Sequence, residues 1–178
     1  MKNAYAGHLK YSFQLRPHTV ADQAYIGAYQ GIGVGYFNFG NPEELGNPLA
    51  VYLFQGGRIA QFSPRISLNY EWNFGASFGW KPYDEYDNPE NQIIGSKVNA
   101  YLNVNLYLKW ALSPKFDLMI GATGSHFSNG NTQYPNSGLN TVDCKVGLVY
   151  NFNRRADELA QSCNALLFLH SPATSATT

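Results

Sequence analysis

The sequence predicts an all-β protein, an antiparallel up-and-down transmembrane β-barrel of eight strands, from three observations. Long stretches alternate strictly between apolar and polar residues. The connections between them alternate between short and long. The composition is poor in charge and rich in aromatics and glycine: charged residues make up 13 %, Tyr, Phe and Trp 15 %, and there are 17 glycines in 178 residues. Aromatic and β-branched side chains suit a pleated surface, which favours strands over helices.

The clearest alternation covers residues 65–80. Ile66, Leu68, Tyr70, Trp72, Phe74, Ala76, Phe78 and Trp80 fall on one parity, and Arg65, Ser67, Asn69, Glu71, Asn73, Gly75, Ser77 and Gly79 on the other. Successive strand residues point to opposite faces, so one face is apolar and the other polar. Residues 97–110 repeat the pattern, with Val98, Leu102, Val104, Leu106, Leu108 and Trp110 against Asn99, Asn103, Asn105 and Lys109. Ordinary strands have about 5–6 residues, whereas membrane-spanning ones need about 9–11, and these are of the longer kind. Further strands are expected over 9–15, 31–38, 49–61, 117–129 and 140–152, with Gly56-Gly57 as a candidate bulge.

The connections Phe62-Ser63-Pro64 and 112–115 are short, while 81–96 and 130–139 are longer and polar. Short turns on one side and long loops on the other are the habit of outer-membrane barrels, which close with an even strand number. With the short turns in the periplasm, the strand over 9–15 runs inward and one outward strand is expected before it. Residues 1–16 also lack a charged, then continuously apolar, export signal. Both features fit a chain whose N-terminal part, including the first strand, is missing. A soluble lipid carrier of lipocalin type is the alternative barrel, but it would turn its apolar faces inward. A barrel domain is thus expected over 1–152. Residues 153–178 form a separate tail, read as a short helix over 156–170 followed by a disordered end.

Other classes recede on composition. The net charge is zero and the pI is near 6.9, which point away from nucleic acid. Cys144 and Cys163 make no disulfide framework. Mean hydropathy is −0.30, which a barrel with a polar lumen tolerates. Asn69, Glu71, Asn99, Asn103 and Asn105 are expected to fill that lumen, with Glu71 in a network with Arg65, Lys97 or Lys109. Trp72, Trp80 and Trp110 read as packing or interface residues. Asp84, Glu85, Asp87 and Glu90 read as a solvated acidic loop. His8, His18 and His170 have no ligand-like spacing, so no metal site and no cofactor is expected.

Residues 125–131, Ser-His-Phe-Ser-Asn-Gly-Asn, carry the chemistry. His126 and Ser128 are two apart and share a strand face with Leu118, Ile120 and Ala122, the lipid-facing side. Burying unpaired polar groups there costs about 1–3 kcal/mol each. On the next strand Asn140 shares the parity of Val142, Val146 and Leu148. A symmetric loop places His126 opposite Asn140, with Cβ atoms about 4.5–5.5 Å apart. A hydroxyl, an imidazole and a group that fixes the imidazole tautomer are the parts of a serine hydrolase. The spacing alone is equally met by a polar pair at the membrane interface, in a structural or passive binding barrel that is no enzyme.

The segment HFSNGNTQYPNSGLN, residues 126–140, resembles the lipid A 3-O-deacylase family of outer-membrane barrels, and the likeness extends through YQGIGVGYFNFGN, SLNYEWNFG and GWKPYD. The resemblance implies a carboxylic ester hydrolase in the outer membrane of a Gram-negative bacterium, acting on lipid A of lipopolysaccharide. It implies that His126 is the base and Ser128 the nucleophile. It implies that Asn129, with neighbouring amides such as that of Gly130, forms the oxyanion hole. Asn140 stands where the familiar form of the family has an acidic residue, and is expected to orient His126 in its place. The likeness leaves the oligomeric state open, a homodimer included.

Overall fold

The computed structural model describes residues 4–14, 27–152 and 154. The tail beyond Arg154, with its expected helix, lies outside the described residues.

Seven strands follow one another: β1 (Tyr5–Gln14), β2 (Tyr29–Asn38), β3 (Gly46–Ser63), β4 (Ile66–Trp80), β5 (Val98–Ala111), β6 (Phe116–Ser128) and β7 (Leu139–Tyr150). They pair in sequence order, each antiparallel to the next, in one sheet. All seven strands read from the sequence are found, several with wider bounds. No helix occurs among the described residues. The sheet coils until its edges approach: the Tyr11 ring of β1 lies 6.4 Å from that of Phe152, just beyond β7.

The coil is inside out relative to a soluble protein. Leu9, Leu53, Val104, Val142 and Val146 are each at least 65 % exposed on the outer face. Asn69, Glu71, Asn73, Asn99, Asn103 and Asn105 are buried within. A soluble barrel would reverse this, so the lipocalin alternative falls; the pattern is that of a surface solvated by lipid. Inside, Glu71 accepts hydrogen bonds from Lys10 of β1 and from Tyr29 Oη of β2 at 3.0 Å, and Lys145 Nζ of β7 lies 3.5 Å from the same carboxylate. Lys145 also donates to Asn105 Oδ1 at 2.9 Å. The expected partners Arg65, Lys97 and Lys109 are therefore replaced by Lys10 and Lys145. Parity could place a cation in the lumen, but only the coiling of the sheet decides which strands face Glu71.

Two other local expectations change. The register slips between Arg58 and Ala60, not at Gly56-Gly57, which pair regularly with Glu71 and Tyr70. Alternation also breaks at the end of β4. Gly79 has φ +86°, a left-handed conformation that side chains resist, and it turns Trp80 into the lumen, where it is buried. Trp80 therefore leaves the apolar outer face that Trp72 and Trp110 share. It joins Phe37, Phe39, Tyr101 and Phe127 in an aromatic cluster at the loop end of the barrel.

Candidate functional site

The end of β6 presents three consecutive residues to two environments. Phe127 points inward and is fully buried, its ring 5.1 Å from those of Phe37 and Tyr101 and 5.2 Å from that of Trp80. Its neighbours His126 and Ser128 therefore project outward together. The inward ring acts as an anchor: a close-packed aromatic cluster fixes the strand end that carries both polar side chains.

Across the strand gap β6 pairs with β7, with His126 opposite Asn140 and Ser125 opposite Thr141. Asn140 Oδ1 lies 2.8 Å from His126 Nδ1, and His126 Nε2 lies 3.0 Å from Ser128 Oγ. The carbonyl oxygen of Asn140 only accepts, so the imidazole donates from Nδ1 and leaves Nε2 with a lone pair. That lone pair accepts the Ser128 O–H. The chain of contacts thus selects the one tautomer able to take a proton from the hydroxyl.

The loop between β6 and β7 holds this arrangement in place. Gly138 has φ +69°, and a Cβ there would meet His126 Cε1 at 3.2 Å and the Phe127 carbonyl at 3.3 Å. The imidazole lies close against a bare backbone, where an added side chain would press on it. The loop is tied by Asn129 N–H to Asn136 Oδ1 at 3.1 Å, Asn129 Nδ2 to the Gln133 carbonyl at 2.9 Å, and Asn136 Nδ2 to Asn131 Oδ1 at 3.1 Å. Ser137 Oγ donates to the Gln92 carbonyl at 3.1 Å, joining this loop to the one after β4.

These bonds distinguish the two amides expected to face an oxyanion. The Asn129 N–H is already committed to Asn136. Gly130, two residues past Ser128, has open space where a Cβ would sit. Gly138, Asn136 and Phe127 were not singled out from the sequence; a glycine two residues before Asn140 was the only signal available for any of them.

Beside Ser128 an outward groove of about 650 Å³ opens, lined by Ser128, Asn129, Gly130 and mostly apolar residues of β2 to β5. In the loop 81–97, Asp84 accepts from the backbone N–H groups of Asp87 at 3.0 Å and Tyr86 at 2.9 Å, which hold its carboxyl below the usual range. Among the described residues no group of acidic, His and Cys side chains is arranged to hold a metal ion.

Fold and site together define an inside-out, up-and-down β-barrel protein with a Ser–His–Asn constellation on its lipid-facing wall. The lipid A 3-O-deacylase (PagL) family model matches residues 5–149, and the chain belongs to that family. No curated protein and no solved structure matches it.

Proposed function

We propose that the protein is an outer-membrane esterase that removes an ester-linked acyl chain from lipid A, with Ser128 as nucleophile, His126 as base and Asn140 as the group that orients His126. The observation that carries this reading is the continuous contact Asn140 Oδ1–His126 Nδ1–His126 Nε2–Ser128 Oγ, at 2.8 and 3.0 Å, on a surface otherwise apolar. Family membership supplies the substrate class.

In this mechanism His126 Nε2 takes the Ser128 proton as Oγ attacks the ester carbonyl carbon. Negative charge develops on the carbonyl oxygen, and the Gly130 N–H stabilises it, because the Asn129 N–H and Nδ2 are engaged by Asn136 and Gln133. The tetrahedral intermediate collapses as the sugar alkoxide leaves and receives the proton from His126. His126 then activates a water, which attacks the acyl-enzyme and releases the fatty acid. Asn140 holds the tautomer but brings no charge to the imidazolium, so each proton transfer is less well supported than with a carboxylate. The substrate lies in the same membrane leaflet, so an open wall site suffices where a soluble enzyme needs a deep pocket.

Lipid A from cells expressing the wild type and Ser128→Ala, compared by mass, tests this. Loss of one acyl chain in the wild type alone supports it. Deacylation by the variant excludes the serine mechanism. Intact lipid A in both favours the competing reading, a passive barrel, to which the uncharged Asn140 lends its weight.

A further inference from the structure

A second concavity lies above the barrel wall, between the loop after β4 and the loop after β6. It is an open cleft of about 540 Å³, lined by Tyr83, Gln92, Tyr134, Pro135, Asn136 and Ser137. Its volume is that of a small-ligand site. Both loops stand at the end of the barrel that carries His126 and Ser128, opposite the short turns. The cleft therefore lies outside the apolar wall, on the side where a lipid headgroup projects.

The cleft is built before anything enters it. Gly95 of the first loop passes so close to the second that a Cβ there would lie 2.7 Å from the Pro135 carbonyl oxygen and 2.8 Å from the Tyr134 carbonyl carbon. Ser137 Oγ donates to the Gln92 carbonyl at 3.1 Å, and the Tyr83 N–H to the Ile94 carbonyl at 2.8 Å. The buried Asn91 accepts from the Ile93 and Ile94 N–H groups at 3.0 and 3.1 Å and donates to the Lys81 carbonyl at 2.7 Å. Ile94 itself is packed into the aromatic core of the loop end. A site held in this way loses little conformational freedom on binding.

The lining narrows the choice of occupant. Tyr83 is 38 % and Tyr134 85 % exposed, and among the described residues neither phenol nor the Gln92 carboxamide has a hydrogen-bond partner. No charged side chain lines the cleft, and the same loop carries Asp84, Glu85, Asp87 and Glu90, which disfavours a phosphate or a carboxylate. An acyl chain would cover the phenols and the carboxamide without pairing them, at a cost. A pyranose ring matches both parts of the lining. Its C–H faces lie on the apolar body of a tyrosine, and its hydroxyls both donate to and accept from the phenol and carboxamide groups.

We infer that this cleft binds an uncharged saccharide ring from the sugar portion of lipopolysaccharide. The choice of lipopolysaccharide rests on the substrate class proposed above; the saccharide chemistry rests on the cleft alone. The back wall joins the cleft to the reacting groups. Residues 134–137 lead directly into Gly138, which lies against His126, and Asn136 Oδ1 holds the Asn129 N–H one residue past Ser128. A sugar held in the cleft is thus anchored beside Ser128, and it braces the segment that lies against the imidazole.

The test uses the full chain in lauryldimethylamine oxide, a detergent without a sugar headgroup, and the water-soluble oligosaccharide released from lipopolysaccharide by mild acid. Saturation-transfer NMR reads the magnetisation passed from protein to sugar protons. The wild type should show transfer, and Tyr83→Ala/Gln92→Ala should reduce it to the level of protein-free micelles. Tyr86→Ala removes a still more exposed tyrosine of the same loop, outside the cleft, and should keep the wild-type signal. Wild-type transfer no greater than that of micelles overturns the inference, and so does equal transfer in the wild type and the double variant. Should the double variant fail to fold, Gln92→Ala is read alone, since its carbonyl still accepts from Ser137. Reduced transfer in that variant supports the inference, and unchanged transfer overturns it. Ser128→Ala separates this inference from the esterase reading. It leaves the cleft intact, so sugar transfer should persist in it whatever the fate of deacylation, and transfer that vanishes there overturns the placement of the sugar in the cleft.

Discussion

The Asn140 carboxamide oxygen and the His126 Nδ1 meet at 2.8 Å across the β6–β7 gap, an amide in the position from which a triad usually draws a charge. The distance and direction are those of an orienting partner, and only the charge is lacking. Replacing an aspartate by an asparagine in a buried triad costs about 10⁴-fold in kcat. Asn140→Asp makes the reverse change with the same side-chain length. It is expected to raise the deacylation rate by between about ten-fold and that limit, and Asn140→Ala to lower it. Initial rates of lipid A deacylation check both; equal rates for the alanine variant and the wild type would show that Asn140 does not orient His126.

Gly138 is expected to be intolerant of even one added carbon. Its left-handed backbone disfavours any side chain by about 1–2 kcal/mol. An alanine Cβ would also press on His126 Cε1 and the Phe127 carbonyl. Gly138→Ala should therefore lower kcat by turning the imidazole away from Ser128 Oγ. The folded barrel, judged by its resistance to unfolding in gel electrophoresis, should persist.

Phe127 binds the site to the lumen. Phe127→Ala empties the centre of the aromatic cluster, at a cost of about 3–5 kcal/mol, and frees the strand end that holds His126 and Ser128. Denaturant unfolding in detergent and deacylation rate should fall together. Phe127→Leu, which keeps most of the volume, should recover much of both. Retained stability in the alanine variant would show that the cluster does not anchor the site.

Glu71 is buried against two lysines from opposite ends of the chain, Lys10 and Lys145. Glu71→Gln leaves both cations in the lumen without a counter-charge, and removing one member of a buried ion pair costs about 3–5 kcal/mol. The unfolding midpoint in urea should drop accordingly. Adding Lys10→Met and Lys145→Met to that variant should restore most of the loss, because no unpaired charge then remains.

The pH response of the loop 81–97 follows from Asp84. The N–H groups of Asp87 and Tyr86 bind its carboxylate form and hold its carboxyl below the usual range. A depressed carboxyl stabilises the folded loop fully above the ordinary aspartate range, near pH 4, and loses that contribution as pH falls through its lowered value. Limited proteolysis within the loop should accelerate with acidification in the wild type. In Asp84→Ala it should be fast at every pH tested.

Much of this molecule was legible one residue at a time. The parity of residues 65–80 and 97–110 marked the outer and inner faces, because a strand fixes the side of each residue by position alone. The same rule brought His126 and Ser128 to one face and, with a symmetric loop, Asn140 opposite His126. Where local geometry departed from the rule, the reading failed with it. The left-handed Gly79 sent Trp80 inward, and the slip after Arg58 moved the bulge off the glycine pair.

What the sequence determined by itself is therefore the class of fold, the inside-out polarity and the candidate chemical pair, all consequences of two-residue periodicity. What only the tertiary structure decided is which residues meet across strands or across the lumen. Lys10 and Lys145 reach Glu71 because the sheet coils. Ala76 and Ala100 line up with Ser128 because three registers agree. Coiling and register are set by hydrogen bonds between strands distant in the chain, and no spacing along a single strand records them.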